Sequence, residues 1–240
     1  HNGKLDKDYT GLVDYNGKTY YVVDGVVNHS CNGLTYINGE WCYIVNGVLD
    51  TGYNNLILYN GTWYYVENGK INWHYTNLVQ YYGTWYYVEN GKINWNKNTL
   101  CQVNGHGTWY YVENGQINWH YQGLVYCNKE WYYIKNGVHQ TNYSSLVLYN
   151  GNWYYVKNGK IDWCYTNLVQ YHGTWYFVEN GKINWGKNTL SQVDGHGTWY
   201  YIENSQINWH YTGLTQYFGT WYYIQNGALN WSYNGLVHYH

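Results

Sequence analysis

The stretch Leu78-Val79-Gln80-Tyr81-Tyr82-Gly83-Thr84-Trp85-Tyr86-Tyr87-Val88 decides the fold. Two short runs rich in β-branched and aromatic residues flank a tight, Gly-containing turn, which is the local signal for a β-hairpin. A second turn, Asn90-Gly91, follows the Trp-Tyr-Tyr strand, with counterparts at Asn68-Gly69, Asn158-Gly159 and Asn180-Gly181. Gly there accepts the positive φ that other residues resist. The chain then runs Lys-Ile-Asn-Trp into the next segment. No apolar stripe recurs at the helical spacing, and Gly and Asn come too often for a helix of even about ten residues. The reading is all-β.

Outward from this stretch the sequence repeats itself. The slot held by Trp85 recurs at Trp41, Trp63, Trp109, Trp131, Trp153, Trp175, Trp199 and Trp221, with Thr19 in a first degenerate copy, which makes ten repeats. The successive spacings are 22, 22, 22, 24, 22, 22, 22, 24 and 22 residues, so a period of 90 residues is superimposed on the shorter one. Positions 61 to 120 and 151 to 210 agree at 49 of 60 sites, and the two longer repeats carry the same turn insertion, Val103-Asn104-Gly105-His106-Gly107 and Val193-Asp194-Gly195-His196-Gly197. The organisation expected is one solenoid over residues 1–240, about ten hairpin units of roughly 22 residues, with superrepeats at about 41–130 and 131–220.

Of the 240 residues, 16 are Trp, 36 Tyr and 2 Phe, while Pro and Met are absent and only 11% are charged. Disordered chains show the reverse composition, so this one folds. A net charge of -2 excludes electrostatic binding of nucleic acid. No run approaches the roughly 20 apolar residues of a transmembrane segment. An isolated hairpin is marginal in water, so ten of them must stabilise one another by stacking. Strand alternation sends Trp85 and Tyr87 to one face and Tyr86 and Val88 to the other, so both faces of each thin hairpin have large rings to bury. Most of these rings are therefore expected to be packing.

The pattern Gly-x-Trp-Tyr-Tyr-x-x-x-x-Gly, preceded by a Gly-apolar pair and repeated from about Gly11 to Leu236, resembles the cell-wall-binding repeats of Gram-positive surface proteins. These include choline-binding modules, the glucan-binding repeats of glucosyltransferases and the receptor-binding repeats of large glucosylating toxins. The resemblance implies a hairpin solenoid displayed outside the cell, associated with its surface, that binds ligand in shallow sites between units. In choline-binding modules the Gly-apolar pair is Gly-Trp, and that Trp is one of three walls around a quaternary ammonium. Here the slot is Leu: Leu34, Leu56, Leu78, Leu100, Leu124, Leu146, Leu168, Leu190, Leu214 and Leu236. One wall of the expected cage is missing, which lowers choline below a neutral polysaccharide as the expected ligand.

An additional Trp follows the second turn at Trp73, Trp95, Trp119, Trp163, Trp185, Trp209 and Trp231, and it offers a replacement wall. Candidate ligand-binding rings are these seven together with Trp63, Trp85, Trp109, Trp153, Trp175, Trp199 and Trp221 of the main slot and Tyr65, Tyr87 and Tyr155 beside it. Flat rings bordered by amides suit sugars, whose C–H faces stack while their hydroxyls take hydrogen bonds. The Asn of Ile-Asn-Trp (Asn72, Asn94, Asn118, Asn184, Asn208) is read as a side-chain ladder along the stack in preference to a turn cap.

His74, His120, Cys164 and His210 share one phase in alternate repeats, but a metal would need neighbouring ligands to converge at about 2.0–2.3 Å. No metal and no cofactor is expected. His106 and His196 read as exposed turn residues, and His1 as a boundary residue. The cysteines Cys31, Cys42, Cys101, Cys127 and Cys164 occupy different phases, so they form no disulfide framework. The acids Glu67, Glu89, Glu113, Glu179 and Glu203 recur one per unit at one phase, unlike the paired carboxylates of a glycosidase, and no unique catalytic constellation stands out. With no starting Met and no leader, the chain reads as a processed or excised piece. A non-catalytic module that anchors to cell-wall polysaccharide, glucan or another surface glycan is the leading reading. The alternative is a structural or adhesive stalk or fibre element, self-associating end to end or laterally, whose aromatics are packing.

Overall fold

The computed structural model describes residues 6–193 and 195–237. It is all-β, with one short 3-10 turn at Val103–Gly105 as its sole helical element among the described residues. The chain divides into two compact units, His1–Trp119 and His120–His240, and among the described residues each contains fifteen strands in five three-stranded repeats.

One repeat shows the construction. Strand Asn77–Tyr81 pairs antiparallel with Thr84–Glu89, register Leu78 to Tyr87 and Tyr81 to Thr84, around a two-residue turn. Both turn residues have positive φ, 45° at Tyr82 and 83° at Gly83. This is the primed turn whose twist matches the flanking strands. The second turn, Asn90 and Gly91 at 52° and 72°, leads into the short strand Lys92–Ile93, which pairs back on Val88 and Glu89.

That short strand also joins the repeats. Lys92 pairs with Tyr64 of the preceding repeat, and the Gly91 carbonyl accepts the Tyr65 N–H at 2.9 Å. The backbones come so close that a Cβ on Gly91 would lie 2.6 Å from the Asn72 carbonyl oxygen. Gly91 is thus required twice, for its dihedral angle and for space. Ser205 stands at the equivalent position of a later repeat, fully buried, and donates its hydroxyl to the Asn184 carbonyl.

The core follows from the alternation. Leu78 and Tyr87 pack against Val112 and Ile117 of the next repeat, with Trp85 alongside. Val88, with Tyr86 alongside, faces Leu56 and Tyr65 of the previous one. Each hairpin therefore buries both faces, and the apolar residue after the Tyr pair is fully buried at Ile44, Val66, Val88, Val112, Ile134, Val156, Val178, Ile202 and Ile224. A tyrosine after the second turn braces most ordinary repeats, with Cys31 in its place beside Tyr21 in one. Tyr75 stacks on Tyr65, centroids 3.9 Å apart, and donates its hydroxyl to the Leu78 carbonyl. Burial, followed by the neighbouring Tyr65 and Glu67, pushes its phenol up to about 12.

The Asn ladder is corrected. Asn72 donates its side-chain amide to Glu67 at 2.6 Å within its own repeat, while its side-chain Oδ1 accepts the His74 N–H at 2.9 Å. The same pair recurs at Asn94 and Glu89, Asn118 and Glu113, and Asn208 and Glu203. A five-residue span lets the amide reach back across the turn more readily than the next copy along the stack.

Candidate functional site

The main-slot Trp of one repeat and three rings of the next enclose a concave surface. At Trp131 the walls are Tyr149 from the following first strand, Tyr154 from the following Trp-Tyr-Tyr strand and Trp163 after its second turn. Leu124 and Ile161 form the floor and Asn150 stands at the lip of a cavity of about 220 Å³. Trp131 lies 5.6 Å from Tyr149, and Tyr154 meets Trp163 edge-on at 5.9 Å. T-shaped and tilted contacts of this kind fix the orientation of the rings relative to one another around the space they line.

The sequence builds this locally. Trp131 and Tyr132 point to opposite faces, so an interface receives Trp from one hairpin and the first Tyr of Trp-Tyr-Tyr from the next. The same set recurs as Trp41, Tyr59, Tyr64, Trp73, as Trp63, Tyr81, Tyr86, Trp95, as Trp153, Tyr171, Tyr176, Trp185 and as Trp199, Tyr217, Tyr222, Trp231. Where the turn is longer, Val103 and Val193 take the place of the tyrosine beside Trp85 and Trp175, while Tyr110 with Trp119 and Tyr200 with Trp209 remain.

The post-turn tryptophans are the exposed walls, between 42% for Trp73 and 71% for Trp231. Trp63, Trp85, Trp153, Trp175 and Trp199 are half-buried, whereas Trp109 and Trp221, in the last repeat of each unit, are exposed and have no following hairpin within that unit. Tyr65, Tyr87 and Tyr155 do not line a cage. Tyr65 and Tyr87 are buried, and Tyr155 is stacked 3.8 Å from Tyr165, because the second Tyr of the pair shares the Leu side of the interface and is covered by the bracing residue. Their neighbours Tyr64, Tyr86 and Tyr154 face the space instead. The leucine slot is also reinterpreted: Leu56, Leu124 and Leu146 are buried at 0 to 1% exposure as floor, so Leu there does not open the cage. The tyrosine before the first turn (Tyr59, Tyr81, Tyr149, Tyr171, Tyr217) was not singled out from sequence; its recurrence two residues before the turn Gly was the signal.

Electrostatics vary from cage to cage. Lys92 Nζ lies 5.4 Å from the Tyr64 ring centroid and 5.5 Å from that of Trp73, and Lys182 lies 5.8 Å from Tyr154. Lys70 and Lys160 are instead held by Glu40 and Glu130 at 2.5 Å. His139 replaces the floor isoleucine in one repeat; burial holds its imidazole below the ordinary range, and its Nδ1 has no partner. Among the described residues no three His, Cys, Asp or Glu side chains converge as a metal site, and Cys31, Cys42, Cys101, Cys127 and Cys164 form no disulfide with one another. No helix among them is long and apolar enough to cross a membrane.

Compared with curated protein sequences, the chain has no significant match. Among solved structures it is similar to CbpJ of Streptococcus pneumoniae TIGR4, at 19% identity and TM-score 0.34, over 92% of this chain and 94% of that one. Choline binding protein F of Streptococcus pneumoniae, in the presence of a peptidoglycan analogue, gives 23% identity, TM-score 0.31, and coverage of 79% and 61%. A truncated alternansucrase of Leuconostoc mesenteroides gives 19% and 0.30, with 92% of this chain matching 17% of that one. The assignment rests on the repeats themselves. The model of the choline-binding repeat matches residues 8–28, 52–72, 75–94, 96–118, 121–140, 142–162, 165–184, 193–208 and 211–230, and the protein belongs to that family.

Proposed function

We propose that this chain is a non-catalytic anchoring module that holds a cell-wall polymer by several aromatic cages, each taking one quaternary ammonium group or one sugar unit. The observation that carries the reading is the cavity walled by Trp131, Tyr149, Tyr154 and Trp163 over an apolar floor. An onium group held over ring faces gains about 0.5–2 kcal/mol per site, which is weak alone. Repetition supplies the rest, since a second site on the same polymer binds at high effective concentration. Choline stands first as ligand, ahead of a neutral polysaccharide, because the post-turn Trp supplies the wall that the Leu slot does not. The amide of Asn150 at one lip favours a neutral sugar at that site. The module acts outside the cell, at the surface that carries the polymer.

The test is retention of the purified chain on insoluble Gram-positive cell walls and on insoluble α-glucan, with choline chloride and isomaltotriose as competing solutes. Retention on walls released by millimolar choline is the expected result. Release by isomaltotriose alone would assign the cages to glycan. Retention on neither support would overturn the anchoring reading in favour of a structural element, whose self-association sedimentation would then measure.

A further inference from the structure

The cages are not equivalent, and two independent features divide them in the same way. The first is the residue at the tip of the following first turn. It is Asn60 beside the Trp41 cage and Asn150 beside the Trp131 cage, but Tyr82 beside Trp63 and His172 beside Trp153. Tyr82 and His172 sit at φ 45° and 47°. Asn tolerates that region and a bulky ring does not, so the turn gains nothing from them. Nor does the core, since both are exposed, Tyr82 at 92%, each meeting the cage tyrosine edge-on at 4.5 and 4.2 Å.

The second feature is the side chain that the next repeat lays against the cage through its short strand. Lys92 pairs with Tyr64 and Lys182 with Tyr154, each Nζ over a cage ring, whereas Gln116 pairs with Tyr86 and Gln206 with Tyr176. Among the described residues no carboxylate forms an ion pair with Lys92 or Lys182, so their charge falls on the ring faces. Asn thus goes with Lys at Trp41 and Trp131, and an extra ring goes with Gln at Trp63 and Trp153.

We infer that the module carries two kinds of cage: those at Trp63 and Trp153 take the quaternary ammonium, and those at Trp41 and Trp131 exclude it and take a neutral sugar unit. The inference rests on the reading above that the cages are binding sites. An onium entering the Trp41 or Trp131 cage would share its ring faces with an ammonium about 5–6 Å from the centroids, and like charges at that range repel even with solvent screening. A sugar meets no such penalty. Its C–H face stacks on the rings, while the Asn amide and the lysine donate to its hydroxyls. At the other two sites Tyr82 or His172 adds a fifth ring at the rim, which favours a cation. A wall polymer that bears both groups would be gripped at alternate sites by different chemistries.

The test uses the full chain labelled with 5-fluorotryptophan, with resonances assigned by single Trp→Phe variants. Trp73 and Trp163 report the lysine cages, and Trp95 and Trp185 the other two. Titrated with choline chloride, Trp95 and Trp185 are expected to respond with midpoints at least about fivefold lower than Trp73 and Trp163, a gap that narrows as salt rises. Isomaltotriose should reverse the order. The variant K92Q/K182Q should narrow the gap between the two pairs of choline midpoints at least about twofold, and Y82N/H172N should weaken the response of Trp95 and Trp185. Equal choline midpoints in the unaltered chain, or a gap left unchanged in K92Q/K182Q, would overturn the division while leaving the cages as binding sites. No response of any of the four to either solute would overturn the binding reading and this inference with it.

Discussion

The cages at Trp153 and Trp175 lie one repeat apart in the same unit and differ in one wall. At Trp153 the following first strand ends in Tyr171 and a two-residue turn. At Trp175 it ends in Val193, where the longer turn shifts the register between Gln192 and Val193 and the Gln192 amide donates to the Gly197 carbonyl. The floors are alike, Leu146 with Ile183 and Leu168 with Ile207. The floor that holds two hairpins together and the walls that face outward are therefore specified by different residues. A wall can be lost to a turn insertion without loss of the interface.

The sharpest way to break that division is to attack the floors. Leu146→Ala and Leu168→Ala should each destabilise the protein by about 2–5 kcal/mol in urea unfolding, since both leucines are about 1% exposed and leave cavities. The exposed Trp185→Ala and Trp209→Ala should lose no more than the ring pair contributes, about 0.5–1.5 kcal/mol. Equal losses from both pairs would mean that the outer rings are structural.

Binding should rank the same variants the other way. Trp185→Ala removes a wall from a complete cage and should weaken choline binding there by about tenfold or more, the loss of roughly 1.4 kcal/mol of ring contact. Trp209→Ala, in the cage already lacking its tyrosine, should change the total choline response by less than about threefold. Calorimetric titration distinguishes the two, and a larger effect at Trp209 would show that the valine cage is the working one.

The comparison can also be repaired. Replacing the five residues 193 to 197 with the Tyr-Tyr-Gly of positions 81 to 83 restores the ordinary spacing and supplies the missing wall. Ala228, which pairs with Tyr200, brings no lysine over it. Trp209 should then respond to choline with a midpoint within about threefold of Trp185, the spread expected of a ring contact or two. An unchanged Trp209 would mean that the tyrosine wall does not make the site.

Much of this was legible from local signals. The primed turns follow from Asn-Gly pairs and from Gly83, and the two-faced burial of Trp85 and Val88 follows from strand alternation alone. The roles of Leu78 and Tyr87 were not. Which neighbour each face meets is set by pairings such as Lys92 with Tyr64, 28 positions apart in sequence. Until that register is known, a Leu in place of Trp reads as a missing wall when it is a floor, and Tyr87 reads as a wall when it is core. The turn-capping Asn72 was misjudged for the opposite reason, since its partner Glu67 lies within its own repeat.

The smallest expected difference lies behind the cages. Ordinary repeats are braced by a tyrosine, as Tyr165 braces Tyr155, but the repeats before the longer turns have Lys97 and Lys187 there. Lys97 bonds Glu89 at 2.7 Å with its Nζ 5.0 Å from the Tyr87 centroid, and Lys187 bonds Glu179 at 2.5 Å. In each case the lysine's hydrogen bond is the main cause that holds the carboxyl below the ordinary carboxylate range. A carboxyl depressed in the folded state stabilises it fully above the unfolded value, near 4.3, and that contribution fades as pH falls through the folded value. Unaltered protein should therefore exceed a Lys97→Met/Lys187→Met variant by about 0.2–1 kcal/mol per pair at pH 6, since both pairs are partly exposed. By pH 3 the gap should narrow, because protonated carboxyls leave the lysines unpaired. Urea midpoints at the two pH values measure it. A gap that holds constant would mean that the lysines act only through the rings and the packing of their stems, and that the ion pairs are incidental to the brace.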